Sequence, residues 1–156
     1  MAAMSDFLEN KLIDWFFRGQ ALGVTGASAT AGTGPTTLYA ALVTAASGDT
    51  GIGTEVTGGS YARVAITSSL ANWAGTQSAG STTAGSGTSG TTSNNNAITF
   101  PAPTANWGVV VGMTLMDAVT GGNELVYSAL TTNKTINNGD PAPSFAAGSF
   151  TYQIDN

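Results

Sequence analysis

At Pro35 the hydrophobic period of this chain changes from that of a helix to that of a strand, and the later apolar runs keep the new period. A period of two sends successive side chains to opposite faces, so such runs gain stability by pairing into a sheet. Residues 36–43 set Leu38, Ala40 and Leu42 against Tyr39 and Val43. Residues 61–67 alternate Val64 and Ile66 with Arg63 and Ala65, and residues 97–100 stop at Pro101. Residues 107–116 place Trp107, Val109, Val111, Met113 and Leu115 on one face. Gly121-Gly122-Asn123 is a hairpin signal leading into residues 124–130, where Leu125, Tyr127 and Ala129 alternate. A weak strand at 133–136 ends in a second turn, Asn137 to Asp140, and Pro141 and Pro143 bar regular pairing after it. Residues 149–154 close the chain with Phe150, Tyr152 and Ile154 on one face. The pattern predicts a mainly β fold, an antiparallel β-sandwich of jelly-roll-like form, with one N-terminal α-helix.

That helix is expected over residues 6–18. Asp6 followed by Glu9 has the form of a capping box. Leu8, Leu12, Trp15 and Phe16 then fall on one helical face. Arg18 sits where a cation complements the helix dipole, and Gly19 supplies the stop. With Phe17, these side chains carry much apolar area for one short helix. Two uses are open: packing on the chain's own domain, or an interface with another subunit or a capsid, formed by Leu8, Leu12, Trp15, Phe16 and Phe17.

Residues 20–34 read as a small-residue linker, so the chain divides into a helix and linker arm at 1–34 and a β-domain at 35–156. Inside the latter, residues 74–96 are of low complexity, with no large apolar side chain. A run of this length is expected as a mobile surface loop or as an arm ordered against a neighbouring subunit.

Composition narrows function by exclusion. Charged residues make up 8 % of the chain, against roughly a quarter in ordinary soluble domains. Hydrophobic residues reach 42 %, so the chain folds, with a surface of hydroxyls and small side chains that repels its own copies weakly. A chain buried in a symmetric assembly suits such a surface, and so does a secreted or extracellular β-protein, which is also rich in Ser, Thr and Gly. A net charge of −5 provides no basic stripe for nucleic acid. There is no cysteine for a disulfide framework. The N-terminus lacks the form of a signal peptide, and the apolar runs fall far below membrane-spanning length.

No histidine is present to act as a base, and neither Lys11 nor Lys134 lies in a Ser-x-x-Lys spacing. The glycine-rich stretches do not form a phosphate loop. The reading is therefore of a non-enzyme with no catalytic residue, no cofactor and no metal. Glu55 and Arg63 flank the Gly58-Gly59 turn and are expected to pair. Asp117, Glu124 and Asp140 have the oxygen ligands a Ca²⁺ takes, but their spacing fits turn carboxylates better. Asp49 before Thr50-Gly51 is another turn residue.

Several blocks of the chain together carry a resemblance. They are Ser5 to Leu12, Pro35 to Leu42, Gly53-Thr54-Glu55-Val56 and Gly58 to Arg63. Ile98 to Pro101, Thr104 to Gly108, Asp117-Ala118, Gly121-Gly122-Asn123, Leu130-Thr131 with Lys134, and Asn138-Gly139-Asp140 complete the set. The sequence resembles the small virion proteins of tailed bacteriophages labelled tail-fibre-like or capsid decoration (cement) proteins. The resemblance implies a β-sandwich domain, homotrimeric, on the outside of a virion, with no catalytic residues to carry over.

The expectation is a capsid decoration protein on the outer capsid surface, with its own copies and the major capsid protein as partners. The alternative is a tail-fibre or tailspike module that binds host-surface glycan, with Tyr61, Trp73 and Trp107 as sugar-stacking candidates.

Overall fold

The computed structural model describes residues 4–24, 34–48 and 53–154. Met1 to Ala3, the Asp49-Thr50-Gly51 turn and most of the 20–34 linker lie outside the described residues. Among the described residues one helix, α1 (Asp6–Phe16), precedes nine strands. They are β1 (Thr37–Ala45), β2 (Thr54–Glu55), β3 (Val64–Thr67), β4 (Thr91–Ser93) and β5 (Ile98–Thr99), then β6 (Gly108–Met116), β7 (Glu124–Ile136), β8 (Ser144–Phe145) and β9 (Thr151–Gln153). The fold is mainly β with antiparallel sheets, as the periodicity predicts. A five-stranded sheet runs β2-β1-β6-β7 with β3 also on β1, and two short ladders pair β4 with β9 and β5 with β8. No second sheet of comparable size, as a jelly roll has, stands among the described residues.

By its internal contacts the chain forms two compact units: residues 1–37, 67–98 and 145–156, and residues 38–66 and 99–144. The helix thus shares a unit with the low-complexity segment and the C-terminal strand.

In the first unit, Ser5 caps α1 from an extended conformation, and its Oγ accepts from the Leu8 amide at 3.4 Å. Asp6 is the first helical residue rather than the cap, and with Glu9 it places negative charge in the first turn. The helix ends at Phe16, so Arg18 lies beyond it and is fully buried instead of facing solvent at the last turn. Gly19 reverses the chain at φ +65°, and a Cβ there would stand 2.6 Å from the Ser68 carbonyl oxygen. Phe17 packs on Trp73 at a ring separation of 5.0 Å and on Tyr152 at 5.1 Å. Trp73 in turn meets Phe150 at 5.9 Å. Asn94 ties this core to the C-terminal segment: its Oδ1 accepts from the Phe150 amide at 2.9 Å, and its Nδ2 donates to the carbonyls of Asn96 and Ala146, each at 2.8 Å. A buried amide with both its nitrogen and its oxygen paired stabilises, whereas the same amide left unpaired would cost about 1–3 kcal/mol.

In the second unit, β1 and β6 are the inner strands and are buried along most of their length on both faces. That is why Ala41 and Val43 are as buried as Leu38, Ala40 and Leu42. In β6 the expected face shifts. Gly108 adopts φ +88°, so Trp107 and Val110 point inward while Val109 is 47 % exposed. The two runs expected at 124–130 and 133–136 are one strand, β7. It pairs with β6 from Met116–Glu124 to Gly108–Ile136, with a wide bulge in which Val111 alone stands against Leu130 to Asn133.

Candidate functional site

The first unit concentrates its polar chemistry on one line of α1. Asn10, Asp14 and Arg18 recur every fourth residue, so they share a side of the helix axis and its continuation. Asp14 and Arg18 form a buried ion pair. The Arg18 guanidinium also donates to the Trp73 carbonyl at 3.0 Å and to the carbonyls of Ser81 and Thr83. The second carboxylate oxygen of Asp14 accepts from the Gly85 amide at 2.8 Å. Asn10 donates through Nδ2 to the Gly87 carbonyl at 3.0 Å and accepts from the Thr76 hydroxyl through Oδ1. The Thr76 hydroxyl accepts from the Gly87 amide at 2.8 Å, closing the network.

Residues 73–87 are therefore folded onto the helix of their own chain. The run expected as a mobile surface loop or an intersubunit arm is held over 73–87 through main-chain donors and acceptors, on which side-chain composition is silent. The helix side facing it buries Glu9, Ile13 and Asp14. Asp14 lies inside because Arg18 and the Gly85 amide satisfy its carboxylate. Sequence reading missed Asn10, Asp14, Arg18 and Asn94; the four-residue spacing of the first three was the legible signal.

Of the proposed interface residues, Phe17 is in the core at 1 % exposure. Leu8, Leu12, Trp15 and Phe16 are half-buried. Phe7, just beyond this stripe, is 57 % exposed and carries the Lys11 ammonium 5.8 Å above its ring. Beside the clamped segment an open groove of about 570 Å³ is lined by small and hydroxyl-bearing residues that include Thr76, Gln77, Ser89, Thr92 and Thr151.

The second unit gathers the Gly53–Val56, Gly58–Arg63 and Asp117–Asn123 blocks around one guanidinium. Arg63 grips Glu55 with two parallel bonds, Nε to Oε1 at 2.8 Å and Nη2 to Oε2 at 2.7 Å, so the expected pair forms. Its Nη1 donates to the carbonyls of Ala118 and Gly121, the latter at 2.8 Å. Tyr61 donates to Glu55 at 3.0 Å and accepts from the Leu42 amide at 2.8 Å. Its ring stacks on Phe100 and meets Trp107 edge-on. The Trp107 indole N–H donates to the Gly59 carbonyl at 3.0 Å.

Burial pushes the Glu55 carboxyl up, but the hydrogen bonds from Arg63 and Tyr61 and the guanidinium charge outweigh it and hold it below its ordinary value. Burial raises the Tyr61 phenol, and the Glu55 charge raises it further. The bond to Glu55 raises the Arg63 guanidinium.

Asp117, Glu124 and Asp140 are each engaged locally. Asp117 accepts from the Asn123 amide at 2.7 Å and side chain at 2.8 Å, which lowers its carboxyl. Glu124 accepts from Ser47 at 2.6 Å, and Asp140 from the Asn137 amide at 2.8 Å. Among the described residues no group of three or more acidic side chains is placed to hold a metal ion. No helix among them is long and apolar enough to cross a membrane.

Comparison with known proteins adds one match. A family model described as podophage GP4 fiber I protein gp80 fits residues 3–153, nearly the whole chain. No curated protein matches the sequence.

Proposed function

We propose that this chain, which belongs to the podophage GP4 fiber I protein gp80 family, is a structural subunit of a virion fibre, built to hold its shape and its place among copies of itself rather than to catalyse a reaction. The observation that carries this reading is the use the chain makes of its aromatic side chains. Trp73 is fully buried, Trp107 is 5 % exposed, and Tyr61 is pinned through its ring and its hydroxyl. The three aromatics suited to stacking on a sugar are thus spent on internal rigidity, which favours a building block over a glycan reader.

The same logic applies to charge. The ion pairs among the described residues, Asp14–Arg18 and Glu55–Arg63, both fasten loops of the chain itself. No histidine or cysteine is available for chemistry near neutral pH. Copies of the chain are the first partner, as a trimer with the outer stripe of α1, Leu8, Leu12, Trp15 and Phe16, at the subunit boundary. Other virion proteins are the second partner, and nucleic acid and membrane are not partners. The family description names a fibre, and for that reason the proposed location moves from the outer capsid surface to the fibre.

The test is the abundance of this chain relative to the major capsid protein in purified virions, by quantitative gel densitometry. A ratio of a few per cent or less is expected of a fibre. A ratio near one to one would overturn the fibre reading in favour of capsid decoration.

A further inference from the structure

The turn that follows β7 carries the one Asn-Gly pair of the sequence, Asn138-Gly139. Both residues are exposed. Gly139 adopts φ +81°, and a Cβ on it would meet nothing within 4 Å. No side chain therefore shields its amide nitrogen, and its backbone is free to rotate once the turn lets go. That nitrogen stands one five-membered ring away from the Asn138 side-chain carbonyl carbon, an electrophile with ammonia as its leaving group.

The fold restrains both partners of that ring closure. The Gly139 N–H donates to the Pro103 carbonyl at 3.0 Å, and the Asn138 N–H donates to Asn106 Oδ1 at 2.8 Å. The turn also closes on itself, with the Asp140 amide on the Asn137 carbonyl at 3.2 Å and the Asn137 amide on the Asp140 carboxylate at 2.8 Å. Pro103 is buried. The loop it begins is fixed by the Thr104 amide on the Gly59 carbonyl and the Trp107 amide on the Ile136 carbonyl, each at 3.0 Å. All of these residues belong to the second unit.

We propose that Asn138 is a site of spontaneous deamidation that the 103–106 loop keeps latched, so that conversion proceeds through opening of this turn. In the open turn the Gly139 nitrogen gives up its proton and attacks Cγ of Asn138. The N–Cγ bond forms, the Cγ–Nδ2 bond breaks, and the side-chain nitrogen leaves as ammonia with a proton in place of the one lost. Water then adds to either carbonyl of the succinimide ring and opens it to aspartate or isoaspartate. In the closed turn, deprotonation and rotation of the Gly139 nitrogen each require loss of its bond to Pro103. The product carries a new negative charge close to the Asp140 carboxylate. Isoaspartate also lengthens the main chain by one carbon, which moves the Gly139 amide out of register with Pro103. Each opening that reacts is thus recorded permanently in the second unit.

The test is the rate of conversion in the purified full-length chain, followed by peptide mass spectrometry that separates aspartate from isoaspartate, in a mildly alkaline buffer. The folded chain is expected to convert at least about tenfold more slowly than the same chain unfolded in urea at the same pH. Asn106→Ala removes the latch on the Asn138 amide and is expected to speed conversion of the folded chain about fivefold, the factor one net hydrogen bond is worth. Circular dichroism shows that this variant is folded; should it unfold, the comparison of natural chain with and without urea still decides. Equal rates in the two states overturn the latch, and absence of conversion at Asn138 in urea overturns the site. A folded Asn106→Ala chain that converts at the natural rate overturns the role given to the 103–106 loop. Position in the virion plays no part in this chemistry, so failure of the fibre reading leaves the result intact.

Discussion

Arg18 donates through Nε to the main-chain carbonyl of Trp73 at 3.0 Å, while its terminal nitrogens reach Asp14 and the carbonyls of Ser81 and Thr83. One side chain thus joins the end of the helix to both ends of an eleven-residue stretch, 73–83, that has no apolar anchor beyond Trp73 and Ala74.

Replacing Arg18 by Met leaves Asp14 buried without its counter-ion. The expected loss is about 3–5 kcal/mol in urea unfolding, and the amides of Gly85 and Gly87 should exchange faster. An unchanged midpoint with unchanged exchange would show that the clamp does not hold the segment.

The adjacent phenylalanines separate core from surface. Phe17→Ala should cost about 3–5 kcal/mol, since its ring contacts Phe16, Trp73 and Tyr152. Phe16→Ala should cost much less in monomer stability but weaken self-association, measured by sedimentation. Equal stability losses for the two would remove Phe16 from the outer stripe.

Gly19→Ala faces two penalties, a left-handed backbone and a Cβ placed 2.6 Å from the Ser68 oxygen. The left-handed conformation alone is worth about 1–2 kcal/mol, so a thermal-denaturation loss of about 2 kcal/mol or more is expected. A neutral substitution would mean that the helix terminus is free to reshape.

Glu55 sets the acid limit of the second unit. Its carboxyl titrates lower folded than unfolded, so its stabilising contribution is complete above the unfolded value of about 4.3 and is lost as pH falls through the folded value. Tyr61 sets the alkaline limit with the opposite sign: its raised phenol stabilises below about pH 10, and the contribution drains away above it. Melting temperature should therefore be flat between about pH 5 and pH 9 and fall on both sides. Glu55→Gln should reduce the acid slope. A slope identical to that of the natural protein would assign it to other carboxylates.

Much of the strand inventory was legible because alternation survives wherever one face is wet. The closing strand shows it: Phe150 is buried, Tyr152 and Ile154 are half-buried, and Thr151 and Gln153 are exposed. Legibility ended where burial became two-sided, as in β1 and β6, and where Gly108 shifted the phase. The Glu55–Arg63 pair was readable from its position across a turn. The Asn10–Asp14–Arg18 line was written in the spacing, but its partners are main-chain groups, and those leave no mark on side-chain identity. The same blindness hid β4 and the Asn94 linkage, whose short polar residues look like loop.

The clamp on residues 73–87 has an evolutionary corollary. Asn10, Asp14 and Arg18 hold that stretch at the carbonyls of Trp73, Ser81, Thr83 and Gly87 and at the Gly85 amide, groups every residue type but proline supplies in full. The helix therefore specifies a path and leaves the spelling along its solvent side open. Thr82, Ala84 and Ser86, exposed between those holding points, are positions where mutation can explore new surface chemistry without loosening the scaffold beneath.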